Sequence, residues 1–190
     1  MKQVSLKEFI TFLDRLDPKM FREEAVGQYL AAHLVTREDF TPFIYFRDDT
    51  YGRNLVAKSP HYELLVLTWL PKQRTSIHDH NGQRCWMLVH AGALTFKCYS
   101  NPGASGKLSP IGSVETKKSG DSNYIDDTLG FHSIANANAT VPAISVHLYA
   151  GPVPRCQTYN ESTKRLEWTE LQYFTQLGEM GREMESILGT

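Results

Sequence analysis

Two histidines one residue apart, His78 and His80, are the side chains whose type and spacing point most directly to chemistry. Alternate residues of an extended strand share a face, so both imidazoles project the same way. Two neutral imidazoles aimed into one cavity make half of a transition-metal site. Asn81-Gly82 follows at once, a dipeptide that favours positive φ and hence a turn. The chain then re-enters a predicted strand, Cys85 to Val89, which returns a thiol to the neighbourhood of the histidines. A third ligand has to come from another strand. His132 is the candidate, two residues after Gly130 and four before Asn136. Any one of these histidines alone would more often be a hydrogen-bonded core or surface residue. The ordered set is what points to a metal.

Stepping from ligands to the elements that must carry them, residues 6 to 17 place Leu6, Phe9, Ile10, Phe12, Leu13 and Leu16 at helical spacing. Ser5 with Glu8 reads as a capping box at the start of this helix, and Pro18 closes it. A second helix is predicted from about Phe21 to Val35, with His33 a partly buried residue on it. From about Pro42 the pattern changes to short strands between Gly, Pro, Asn and Asp clusters, as in an all-β barrel or sandwich. The strands expected are Tyr51 to Val56, Tyr62 to Leu70, Trp86 to Val89, Leu94 to Tyr99, Ser113 to Lys117, Ser122 to Ile125, His132 to Ala135 and Ala143 to Tyr149. The last alternates Ser145, His147 and Tyr149 on one face with Ile144, Val146 and Leu148 on the other. Asn101 to Lys107 reads as a polar surface loop, and Met180 to Leu188 as a short terminal helix.

The bulk properties restrict the function class. A chain of 190 residues fits one domain, and a net charge of -1 offers no basis for a nucleic-acid or anionic-membrane partner. The apolar residues of the first seventeen positions are interrupted by charges every few residues, so no signal-peptide core or membrane span is expected. Three cysteines, Cys85, Cys98 and Cys156, do not make a disulfide framework, and a reducing cytoplasm is the expected location.

The His-x-His strand, the turn, the returning strand up to Gly92 and the later Gly130-x-His132-x-x-x-Asn136 resemble the two motifs of a metal cupin. Such proteins commonly supply a Glu ligand four or five residues past the second histidine, where this chain has Arg84 and Cys85. Three neutral imidazoles would leave a divalent charge unbalanced and about three positions open on an octahedral ion. An anionic, chelating ligand such as a thiolate suits that site.

Beyond the cupin pattern, the chain resembles cysteine dioxygenase from about Tyr51 to Cys156. The match is carried by Tyr51-x-Arg53-Asn-Leu-Val56, Ser76-Ile-His78-Asp-His80, Cys85, Gly92, Gly130-x-His132 and Ser145-Val-His147-Leu-Tyr149. The resemblance implies a mainly β fold, a single jelly-roll cupin barrel with N-terminal helices packed against it. Residues 1–190 would form one domain: a helical segment at 1–41, the barrel at 42–155 and a C-terminal extension at 156–190. It further implies one Fe(II) per chain on His78, His80 and His132, with Arg53 pairing with the substrate carboxylate and Tyr51 a second contact there. Cys85 and Tyr149 correspond to the pair that this family can join through a thioether, and His147 to the residue that orients the phenol, with Ser145 extending that chain of contacts. Tyr149, Cys85 and His147 are thus the expected catalytic group. Asp79 is expected to be structural, and Cys156 matches a cysteine near the pocket mouth. After Tyr149 the chain reads Ala-Gly-Pro where the mammalian-type pattern has Ser-Pro-Pro.

The activity implied is oxidation of free L-cysteine with O2 to the sulfinic acid by a cytoplasmic monomer, without nucleic-acid or membrane partners. Thiol dioxygenases for 3-mercaptopropionate or cysteamine are the nearest alternatives. The 3-mercaptopropionate branch typically lacks both the Arg53 equivalent and the crosslinking cysteine. In another class stands a non-catalytic, small-molecule-binding cupin.

Overall fold

A computed structural model of the chain describes residues 2–22, 24–102 and 107–176. Helix α1 (Leu6–Arg15) starts at the capping box: Ser5 Oγ accepts from Glu8 N at 3.2 Å, and Glu8 Oε2 accepts from Ser5 N at 2.8 Å. Two donors of the first turn are thereby satisfied. The helix buries Leu6, Phe9 and Leu13, and Asp14 Oδ1 takes a hydrogen bond from the Tyr62 phenol at 2.7 Å, fastening it to the barrel.

The second helix is shorter than its sequence suggests. Pro18–Arg22 forms a 3-10 turn, α2 spans Glu24–Ala32, and His33 lies in a strand instead of a helix. That strand, β2 (His33–Val35), pairs in parallel with β1 (Lys2–Val4), so inter-strand hydrogen bonds replace the last helical turn. A four-residue helix α3 (Arg37–Phe40) leads into the barrel.

Two six-stranded sheets make the β framework. In the first, β3 (Gly52–Lys58), β4 (Glu63–Trp69), β11 (Ala143–Tyr149), β6 (Cys85–Ala91) and β9 (Ser122–Ile125) lie side by side, and a short β14 (Thr175–Gln176) adds to the free edge of β3. In the second the order is β13 (Arg165–Glu170), β12 (Arg155–Asn160), β5 (Ile77–His78), β10 (Phe131–Asn136), β7 (Ala93–Tyr99) and β8 (Pro110–Lys118). Apart from the pairs β3–β4, β7–β8 and β12–β13, consecutive strands from β3 on switch between the two sheets, as in a jelly-roll barrel. Strands β12 and β13 were not expected, because their sequences are polar and their burial is slight. The helix expected over Met180 to Leu188 lies outside the described residues, as does the centre of the 101–107 loop.

The two faces of β4 and β11 explain why Tyr62 to Leu70 reads as a nearly continuous apolar run. Leu64, Val66, Ile144, Val146 and Leu148 pack outward with Phe9, Leu13 and Phe21 of the helical segment. Leu65, Leu67, Trp69, Ala143 and Tyr149 pack inward with Met87, Leu94, Phe96 and Ile134. A strand buried on both faces loses the period-two alternation of a half-exposed one.

Gly130 sets the entry into β10. Its φ is +87° and its ψ is -152°, a conformation that L side chains rarely adopt, and an added Cβ would overlap the Tyr99 carbonyl oxygen. Gly130→Ala is therefore expected to lower stability by about 2–4 kcal/mol, combining backbone strain with the forced shift of β7. Urea unfolding of the metal-free protein measures it, and an unchanged midpoint would refute the assignment.

Candidate metal centre

The register places two of the histidines directly opposite each other: His132 of β10 pairs with His78 of β5. Opposed residues on one face of an antiparallel pair approach closely enough for their side chains to meet. His80 follows two residues later but has left the ladder. Its backbone N–H is taken at 2.7 Å by Asp127 Oδ1, and the other oxygen of Asp127 accepts from Gly82 N. Asn81 and Gly82 have φ of 52° and 81°, the left-handed turn that the dipeptide predicts. Asp79 holds the same segment from the other side, accepting from Gln157 N at 2.8 Å and donating its own N–H to Gln157 O at 3.1 Å. The His-x-His geometry is thus imposed by two carboxylates more than by a continuous strand.

The result is a compact cluster. One ring nitrogen from each of His78, His80 and His132 lies within 4.8 Å of the others. His80 and His132 are buried, and His78 is half-buried. His78 Nδ1 stands 2.9 Å from the Ser76 carbonyl. A carbonyl can only accept, so Nδ1 carries the proton and Nε2 keeps its lone pair. Among the described residues, neither ring nitrogen of His132 has a hydrogen-bond partner, nor does Nδ1 of His80. Burial lowers the pKa of all three imidazoles, and mutual repulsion lowers those of His80 and His132 further, so all three are neutral at physiological pH. Buried polar atoms without partners are costly, and neutral imidazoles with free lone pairs are what a divalent transition metal needs. The residues present fit a metal ion.

His78 and His80 line a cavity of about 140 Å³ together with Tyr51, Arg53, His147 and Tyr149. Cys156 also lines it, whereas Cys85 and His132 line a second, smaller void behind the cluster with Met87 and Phe96. Tyr51 stacks on Trp69 with centroids 4.8 Å apart. Arg53 is 7% exposed, and its Nη2 stands 3.6 Å from Oε1 of the fully buried Glu63.

Tyr149 lies opposite Cys85 in the β11–β6 ladder. Burial raises the pKa of the Tyr149 phenol well above its ordinary value, and the neighbouring Cys85 raises it further, so the hydroxyl stays protonated. His147 Nε2 lies 2.8 Å from Ser145 Oγ, and Trp69 Nε1 donates to that same oxygen at 3.0 Å. Indole N–H can only donate, so Ser145 Oγ accepts from Trp69 and keeps its own proton and a second lone pair to share with His147 Nε2. Burial, with Arg53 nearby, lowers the His147 pKa to about 3. The ring is therefore neutral, and its Nδ1 stands 3.7 Å from Cys85 Sγ. His147 touches the phenol only by ring stacking, at 6.1 Å, so its directional contacts run to Ser145 and Cys85.

A profile of the family described as Cysteine dioxygenase type I matches residues 4–162. The chain belongs to that family. Relatives of the same description include the cysteine dioxygenase type 1 of Danio rerio, 27% identical over 183 residues, covering 94% of this chain and 90% of that protein. The cysteine dioxygenase type 1 of Rattus norvegicus is 26% identical over 156 residues, covering 82% of this chain and 78% of that one. Among solved structures, a double-stranded β-helix protein from Klebsiella pneumoniae aligns with a TM-score of 0.46 and 19% identity, covering 59% of this chain and 87% of that chain. A cysteine dioxygenase family member with this topology is a cupin enzyme of the oxidoreductase class. Among the described residues no helix is long and apolar enough to cross a membrane.

Four residues of this site escaped the sequence reading. Asp127 and Trp69 act through partners far away in the chain. Tyr173, partly buried against the inner cluster, comes from a segment whose polarity resembles a solvated tail. Glu63 did leave a signal: it shares parity with Leu65, Leu67 and Trp69, the inward face, and a charge at an inward position calls for a partner.

Proposed function

We propose that this protein is a single-domain, non-haem Fe(II) enzyme that oxidises the thiol of free L-cysteine with O2 to cysteine sulfinic acid, both oxygen atoms entering the product. The observation that carries the reading is a three-histidine cluster without a carboxylate, two of whose members, His78 and His80, line one small cavity with the buried guanidinium of Arg53. His78, His80 and His132 would hold the iron, which when bound supplies a site where thiol sulfur and O2 meet and the electron transfer between them. Loss of the proton from the substrate thiol would be favoured there, because three neutral ligands leave the metal's charge uncompensated.

The remaining work falls to the chain's own groups. Arg53 pairs with the substrate carboxylate, which suits a planar guanidinium, and Tyr51 flanks that contact. The two ends of a small amino-acid thiol are then fixed at once, which supplies the orientation that a bimolecular reaction lacks. The protonated Tyr149 phenol donates a hydrogen bond toward the reacting atoms. Trp69, Ser145 and His147 hold the Cys85 thiol in place beside it. A cavity of about 140 Å³ is smaller than the ~300–1,000 Å³ of a drug-sized site, in keeping with a substrate of a few heavy atoms.

The test is anaerobic loading with Fe(II) followed by O2 uptake with L-cysteine, 3-mercaptopropionate and cysteamine in parallel, with sulfinate quantified. Strong preference for L-cysteine is expected. Preference for 3-mercaptopropionate would overturn the substrate assignment, and no uptake with any thiol would overturn the enzyme class proposed.

The opposition of Cys85 and Tyr149 also supports a thioether between them. Its formation removes the thiol hydrogen and one ring hydrogen, a two-electron oxidation with O2 as acceptor. Intact-mass analysis after iron and cysteine turnover is expected to reveal a species lighter by two hydrogens, absent from Cys85→Ala. A single unshifted mass in the turned-over protein would exclude the crosslink.

A further inference from the structure

Glu63 stands out among the groups that this mechanism leaves unused. It opens β4 on the inward face, directly across from Tyr149, and is completely buried. A carboxylate in such a place has to be compensated by partners. Its Oε2 accepts the Val153 N–H at 3.1 Å, and the Tyr173 phenol lies close to the same carboxylate, burial first and then Glu63 raising its pKa. Its Oε1 has no hydrogen-bond partner and faces Arg53 Nη2 at 3.6 Å. The carboxylate is therefore anchored on one side and offered to the guanidinium on the other.

Arg53 is arranged to match. Its side chain lines the cavity beside His78 and His80, while Glu63 does not reach the cavity wall. The backbone of Arg53 is held as well: its carbonyl accepts the Phe174 N–H at 2.7 Å. The next residues, Thr175 and Gln176, pair with Asn54 and Leu55 of β3, and Thr175 Oγ1 donates to Asn54 Oδ1 at 2.9 Å. Tyr173 thus arrives at Glu63 on a segment that is fastened to the strand carrying Arg53.

We propose that Glu63, anchored by the Val153 N–H, is a positioning residue that orients the Arg53 guanidinium for the carboxylate of the substrate. The proposal rests on the reading of Arg53 as the carboxylate-binding group. Glu63 does not line the cavity; it sets the direction of the guanidinium that does. The Glu63 charge also compensates Arg53 in the absence of substrate.

The experiment compares Fe(II)-loaded wild-type protein with Glu63→Gln, Tyr173→Phe and Arg53→Gln. It measures kcat and KM for L-cysteine and the inhibition constant of cysteamine, a thiol without a carboxylate. Glu63→Gln keeps the shape and the acceptor for Val153 but removes the charge. It is expected to raise the cysteine KM about tenfold with kcat within about twofold, leaving cysteamine binding unchanged, the pattern of a lost ground-state contact. Tyr173→Phe, which leaves the core intact, is expected to raise the cysteine KM about two- to threefold by the same route. A cysteine KM that stays the same or falls in both variants would overturn the proposal, as would equal losses for cysteine and cysteamine. In the metal-free proteins, Glu63→Gln and Arg53→Gln together are expected to destabilise less than the sum of the single changes, and strict additivity would refute the coupling. An unchanged cysteine KM in Arg53→Gln would overturn the carboxylate reading itself. A raised KM there beside an unchanged one in the other two variants would overturn the role of Glu63 alone.

Discussion

Replacing His132 by alanine is expected to abolish turnover while leaving the metal-free fold nearly as stable as before. The two halves of this expectation have separate causes. His132 is one of three ligands, and the cluster contains no carboxylate to take its place. Losing it should weaken iron binding by at least about 10³-fold, well beyond the 10- to 100-fold typical of a mutated supporting residue. For the metal-free fold, the imidazole is buried with neither nitrogen hydrogen-bonded. Removing an unsatisfied polar group relieves about 1–3 kcal/mol, which offsets the void that the ring leaves. The net change in unfolding free energy is expected to stay within about 1.5 kcal/mol. Iron content after dialysis, O2 uptake and urea unfolding of the apo-protein measure the three quantities. A variant that keeps its iron would remove His132 from the site. A large loss of apo stability would show that its nitrogens have partners in the fold.

The second large effect is expected for Arg53→Gln. Truncating one partner of a buried, charged contact costs about 2–4 kcal/mol, or roughly 30- to 1,000-fold in kcat/KM for L-cysteine. The loss should appear mainly in KM, because the carboxylate is bound in the ground state and the transition state alike. Cysteamine, having no carboxylate, should be affected much less. Arg53→Gln also leaves Glu63 as a buried carboxylate without its cation, so thermal stability is expected to fall together with affinity. Equal effects on cysteine and cysteamine would show that Arg53 supports the site as a whole and does not select the carboxylate.

The elements that carry these residues differ in how openly the sequence declares them. Helix α1 announced itself through the Ser5–Glu8 box and six apolar residues at helical spacing, because each of those signals is local. Strand β11 was predicted over the same residues that it occupies, since its two faces alternate between two chemically distinct clusters. The end of α2 was misplaced by three residues, because the parallel pairing of His33–Val35 with Lys2–Val4 depends on chain some thirty residues away. Strands β12 and β13 were missed for a related reason. A polar strand is made by its neighbours, here β5 and each other, and leaves little hydrophobic period of its own.

For the site, sequence alone determined the three histidines, the missing acidic ligand and the candidacy of Arg53, because residue type and order define those features. That the histidines gather into one cluster, with Arg53 in the cavity beside it, was decided only by tertiary structure. His78 faces His132 through strand register, and His80 is brought in by Asp127 from 47 positions away. The contacts from Trp69 through Ser145 to His147, and the placement of Glu63 behind Arg53, likewise depend on which side chains the barrel brings together. Sequence specifies which groups are available, but a buried proton or charge is assigned by its partners, and those partners are spatial neighbours.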